Sequence, residues 1–144
     1  MQAVVRQVQG LTFVGKADSN HWVVMDAAQK VNGSDAGARP MELVLIALAG
    51  CTGMDVVSIL QKMRVKVEEF WMELAAEQSP EHPRAFTSIS LKYVLVGNDI
   101  PREAVDRAIE LSQSTYCSVS AMLRKACDIS IDVEIRSTGN EHGR

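Results

Sequence analysis

The chain has 144 residues, 47% of them hydrophobic, 23% charged and 5% aromatic, with a net charge of −3 at pH 7. That length fits one domain that buries about two-thirds of its unfolded surface without disulfide or metal staples. The slightly acidic balance leaves no basic field for nucleic acid or an anionic membrane, and the longest apolar run, Leu43–Cys51, falls far short of the roughly 20 residues of a bilayer span.

In chain order, Ala3–Val8 and Leu11–Lys16 read as strands flanking a Gln-Gly turn, and His21–Asp26 as a third after a polar turn. The stretch Ala27–Ala38 carries Asn32-Gly33-Ser34-Asp35 and Gly37 and reads as a mobile loop. Pro40 then opens a helix: proline suits a first helical turn, and Glu42 just after it complements the helix dipole. Its first half, Leu43 to Ala49, is apolar nearly all round, which places it in a core or an interface. We expect this central helix to run from Met41 to about Met63.

Val65–Gln78 and Phe86–Gly97 alternate as strands, joined by Pro80-Glu81-His82-Pro83. Asn98-Asp99-Ile100-Pro101 starts a helix to Ser114, a break at Ser114-Thr115-Tyr116 leads to a further helix ending near Cys127, and Asp128–Arg136 is a last strand. The order βββ-α-ββ-αα-β predicts an α+β domain over residues 1–136. Its sheet would be antiparallel with about six strands, and the polar tail 137–144 would be disordered. So many strands, with an apolar helix short of cover, predict that two chains share the core as a homodimer.

The N-terminus lacks the basic-then-apolar pattern of a secretion signal, so a cytoplasmic location is expected. Three cysteines without close pairing do not make a disulfide framework or a zinc motif. Cys51 lies mid-helix between Gly50 and Gly53, a choice that makes sense if another chain or a substrate approaches the backbone. Helical spacing puts Asp55 on the same face, where its carboxylate would raise the thiol pKa unless a cation compensates. Cys117 precedes a helix, whose N–H groups and dipole would lower its pKa. Cys127 is assigned to packing. His82 and His142 read as solvated, and His21 as an edge residue able to approach the helix.

Two segments carry a resemblance. Arg39-Pro40-Met41-Glu42 through Gly50-Cys51 resembles the first-cysteine helix of the OsmC/Ohr family, and Cys51-Thr52-Gly53-Met54-Asp55 continues like its YhfA-like branch. Glu110-Leu111-Ser112-Gln113-Ser114-Thr115-Tyr116-Cys117-Ser118-Val119 resembles the second-cysteine region of that branch, and the likeness extends from Val4 to Ile135.

The resemblance implies an OsmC-like fold and an intertwined homodimer with the central helices buried between subunits. It also implies thiol-dependent reduction of organic hydroperoxides, with Cys51 attacking the peroxide, Cys117 resolving the sulfenic acid, and a dithiol returning the pair to the reduced state. No cofactor, metal, nucleic acid or membrane is implied. The sequence departs from the family's peroxidases in the group that activates the first thiol. An arginine of the N-terminal sheet does this there, and Asp18-Ser19-Asn20-His21 has none. The partner glutamate's position is Met41, while Glu42, nine residues before Cys51, faces about 180° away on a straight helix. Arg39, Arg84 and His21 are the remaining candidates to supply a cation. The alternative is a dimer of the same fold, without peroxidase turnover, that holds a small hydrophobic ligand.

Overall fold

The computed structural model describes residues 1–138; His142 and the rest of the expected tail, residues 139–144, lie outside the described residues. Two compact units divide the chain, Met1–Ile46 and Ala47–Arg144.

In the first unit, β1 (Ala3–Gln9), β2 (Thr12–Ala17) and β3 (Val23–Met25) form an antiparallel three-stranded sheet. The β1–β2 turn passes through Gly10 at φ 53°, a conformation glycine adopts without a Cβ penalty. β3 is shorter than the expected His21–Asp26 because Asn20 turns at φ 62° before it and Asp26 leaves the strand after it. The Asp26 carboxylate accepts hydrogen bonds from Thr12 Oγ1 (2.8 Å) and from the N–H groups of Ala27 (2.7 Å), Ser34 (3.4 Å) and Ala36 (3.1 Å). The glycine-rich loop expected to be mobile is thus pinned to a buried charge. Within it Gly33 lies so close to Ala27 that a Cβ would meet the Ala27 carbonyl oxygen at 1.9 Å.

Helix α1 (Pro40–Lys62) spans nearly the expected range. Pro40 occupies its first turn, and Glu42 reaches back so that its Oε2 accepts the Arg39 N–H at 2.9 Å, the second half of a capping box. Arg64, left-handed at φ 59°, stops the helix, and Val65 N–H bonds back to the Leu60 carbonyl. The next strand therefore starts at Glu69 rather than at Val65. By length and composition alone α1 could cross a membrane. Its buried line of Leu48, Thr52, Gly53, Val56 and Leu60, however, carries a hydrogen-bonded hydroxyl, as in a helix laid on a protein core.

In the second unit β4 (Glu69–Gln78) pairs antiparallel with β5 (Phe86–Val96), and β5 pairs parallel with β6 (Asp128–Arg136). The expected single six-stranded antiparallel sheet does not form: the strands make two sheets of three, and one pair is parallel. The parallel pairing has a plain cause. Helix α2 (Arg102–Leu111), a π-helical turn (Ser112–Tyr116) and helix α3 (Ser118–Leu123) make the long crossover that returns the chain to the start of β5. β5 is the central strand, with Ile89, Leu91, Tyr93, Val94 and Leu95 all buried.

Candidate functional site

Cys51 and Asp55 stand one turn apart on α1, and Cys117 is the N-cap residue of α3. The two sulfurs and a carboxylate oxygen of Asp55 all lie within 4.8 Å of one another. Both thiols are free; Cys51 is partly exposed and Cys117 is 3% exposed. The i,i+4 spacing read from the sequence aligns Cys51 with Asp55, and the connection from α2 to α3 brings Cys117 to them.

The Cys117 sulfur accepts the Ser120 N–H at 3.4 Å, as a helix N-cap does. The lowered pKa expected from that position does not result. Burial pushes the Cys117 thiol above its ordinary 9.0, and the nearby Cys51 sulfur pushes the same way, outweighing the backbone and hydroxyl of Ser120. The Ser120 hydroxyl is itself buried and otherwise unpartnered.

The other candidates have different work. Glu42 caps α1. Arg39 pairs with Asp35 and donates to the Gly37 carbonyl at 2.8 Å. His21 is exposed ahead of β3. Arg84 is exposed after the Pro80–Pro83 turn, where its carbonyl accepts from Gln78 Nε2 at 3.1 Å. Cys127 is buried, its thiol directed at the Leu123 carbonyl at 3.6 Å, in keeping with packing.

Sequence reasoning missed the polar line beneath the thiols. Thr52 Oγ1 lies 2.7 Å from Tyr93 Oη and 2.8 Å from Ser112 Oγ, and Ser112 Oγ lies 3.0 Å from Asp55 Oδ2. Gln113 Nε2 lies 2.9 Å from Thr52 Oγ1 and 3.1 Å from Tyr93 Oη, and its Oε1 accepts from Arg124 Nη2 at 3.0 Å. The two ends fix the direction of every bond. Arginine can only donate, so Gln113 turns its oxygen to Arg124 and its NH2 to both hydroxyls. A carboxylate can only accept, so Ser112 spends its proton on Asp55, Thr52 spends its proton on Ser112, and Tyr93 donates to Thr52. The chain Tyr93, Thr52, Ser112, Asp55 is a relay of one polarity, and it orients the Asp55 carboxylate. Burial is the main reason that the Tyr93 phenol titrates above its ordinary 10.0.

The π-helical turn makes this possible. Cys117 N–H bonds five residues back to the Ser112 carbonyl at 2.8 Å, and the wider turn lets Ser112 and Gln113, adjacent in sequence, both reach Thr52.

The OsmC-like protein family matches residues 33–132, a span that holds both site cysteines. The chain belongs to the OsmC-like family. It is 45% identical to Protein YhfA of Escherichia coli K12 over 135 residues, covering 94% of this chain and 98% of that one. A solved hypothetical protein from Aquifex aeolicus VF5 superposes with a TM-score of 0.83 at 29% identity, covering 94% of this chain and 96% of that one. An organic hydroperoxide resistance protein OsmC from Legionella pneumophila superposes with a TM-score of 0.68 over 93% of this chain and 97% of that one. At 12% identity that last likeness is one of fold. In this OsmC-like chain both cysteine segments meet at one site, beside the Asp55 carboxylate.

Proposed function

We propose that this OsmC-like protein is a cytoplasmic thiol-dependent reductase of organic hydroperoxides. The observation that carries the reading is the pair of free sulfurs within 4.8 Å, one partly exposed and one buried. Cys51, the partly exposed thiol, attacks the terminal peroxide oxygen as a thiolate; the O–O bond breaks, an alcohol leaves after taking a proton, and Cys51 becomes a sulfenic acid. Cys117 then attacks the Cys51 sulfur, the S–O bond breaks with loss of water, and a disulfide forms that a dithiol reduces. Burial raises the Cys117 thiol pKa, which suits a resolving rather than an attacking thiol. The Legionella pneumophila relative's description as an organic hydroperoxide resistance protein supports the same chemistry.

The test is consumption of cumene hydroperoxide with a dithiol reductant. Cys51→Ser should fall to the uncatalysed rate, and Cys117→Ser should turn over more slowly than wild type, because the dithiol itself must then reduce the Cys51 sulfenic acid. Equal steady rates in wild type and both variants would overturn the reading.

The working unit in this proposal is a homodimer. Ile46 and Met54 of α1 are 59% and 73% exposed, and Val4, Val5 and Val8 of β1 are exposed as well. Open apolar surface on α1, and separately on β1, suits cover by a second copy. A mass of one chain across the micromolar range in sedimentation would refute it. A second reading, binding of a small hydrophobic ligand, is favoured by an open apolar groove of about 470 Å³. Gly53, Met54, Val57, Phe70, Trp71 and Met72 line it, while the Cys51 sulfur does not. Trp71 emission unchanged by long-chain fatty acids or aromatic hydroperoxides would count against that reading.

A further inference from the structure

Asp55 has no role in the two-thiol cycle, yet the structure goes to some length to hold it beside both sulfurs. Its carboxylate is fixed by Ser112 Oγ at 3.0 Å, and Ser112 is fixed in turn by Thr52. Among the described residues Asp55 joins no salt bridge. Two sulfurs and an oriented carboxylate converging on one point, on a site with one partly open side, make a donor set for a soft divalent cation.

We propose that the reduced site binds one thiophilic divalent cation of the zinc class through Cys51 Sγ, Cys117 Sγ and an Asp55 carboxylate oxygen. In a tetrahedral zinc site, bonds of about 2.0–2.3 Å set the donor atoms about 3.5–3.8 Å apart, so donors already within 4.8 Å need only a small closing movement. Two of the donors sit at i and i+4 on α1, a spacing that presents both to one ion. Ser112 on Asp55 and the Ser120 N–H on Cys117 are the outer hydrogen bonds that orient such ligands. The partly exposed side of Cys51 leaves room for water as a fourth ligand.

Metal binding and disulfide formation exclude each other. With an organic hydroperoxide as oxidant, the two metal-bound thiolates lose two electrons and form one S–S bond. The hydroperoxide takes those electrons with two protons, giving an alcohol and water, and the cation is released. The cation site goes beyond the peroxidase reading and does not depend on it.

The experiment is an anaerobic titration of the reduced full chain with Co(II), followed by Zn(II). One cobalt per chain should bind with a thiolate-to-cobalt charge-transfer band in the near ultraviolet, and one equivalent of zinc should displace it. Cys51→Ser or Cys117→Ser should weaken the band and the affinity at least a hundredfold. Asp55→Asn keeps both thiols and the side-chain shape, and should cost at least tenfold; Ser112→Ala should cost about tenfold through loss of orientation. Absence of a thiolate band in the reduced wild type overturns the site, as does Asp55→Asn binding cobalt as tightly as wild type. Cobalt that stays bound after both thiols are oxidised to the disulfide overturns it as well. Hydroperoxide turnover by the metal-free reduced chain is measured separately. A chain that turns over peroxide without binding cobalt loses only the metal site, and one that binds cobalt without turnover loses only the peroxidase reading.

Discussion

The two units of the chain are held by different means. In Met1–Ile46 only Gly15 and Asp26 are buried, while valines of β1 and β3 and Trp22 stand exposed. What fixes that unit locally is one carboxylate and the four hydrogen bonds it accepts. In the second unit Leu48, Val56, Leu60, Ile89, Leu91, Leu95, Val105 and Ala108 are all buried, and so are Thr52, Tyr93 and Ser112 of the hydroxyl relay. The difference teaches where precision is available. A site that needs two sulfurs and a carboxylate held in place is built on the unit that packs itself, on helices rather than on loops.

The largest expected effect tests the packed unit. Leu91 is fully buried on the central strand, so Leu91→Ala should cost about 2–5 kcal/mol of unfolding free energy in urea, through lost burial and the cavity left behind. A loss below about 1 kcal/mol would mean that β5 is not the core strand, and the contrast between the units would fail. Next comes the polar line. Thr52→Val keeps the shape but leaves the Tyr93 hydroxyl without an acceptor, takes one of the two acceptors from the Gln113 amide and leaves Ser112 without a donor. It should cost about 1–3 kcal/mol, because buried polar groups are left unmade. Thr52→Val should also loosen Asp55, so a variant as stable as wild type would remove the relay from the account of the site.

Much of the frame is legible in the sequence for reasons that are local. Pro40 at a helix start, the i,i+4 step from Cys51 to Asp55 and the alternation through β5 and β6 each need only neighbours along the chain. The strand pairing is different: alternation says that a strand has two faces, not which strand lies beside it, so the parallel β5–β6 pair and the split into two sheets escape it. Glu42 shows how one residue reads from two reference points. Counted from Cys51 it falls on the far side of a straight helix; counted from Arg39 it stands at the capping-box position. Thr52, Tyr93 and Ser112 are unreadable as a set because three elements distant in sequence supply them. The π-helical turn that aims Ser112 and Gln113 together reads in sequence as the end of an ordinary helix.

The smallest effect belongs to the N-terminal unit and depends on pH. Burial alone would raise the Asp26 pKa, but the bonds from Thr12, Ala36, Ala27 and Ser34 outweigh it, so the folded carboxyl titrates below its ordinary 3.8. As pH falls below 3.8 the unfolded segment takes up a proton that the folded one refuses, and the stability Asp26 supplies is lost as pH drops through the folded value. Above 3.8 that stabilisation is fully present. Hydrogen-exchange protection at the Ala27, Ser34 and Ala36 amides, corrected for intrinsic rates, should therefore fall in acid before that of the β5 amides. Asp26→Asn at neutral pH should reproduce the loss, since a neutral amide is a weaker acceptor than a carboxylate and brings two donors into a site that offers only donors. Equal and simultaneous loss in both units would mean that they unfold as one, and the contrast between them would be one of composition rather than of stability.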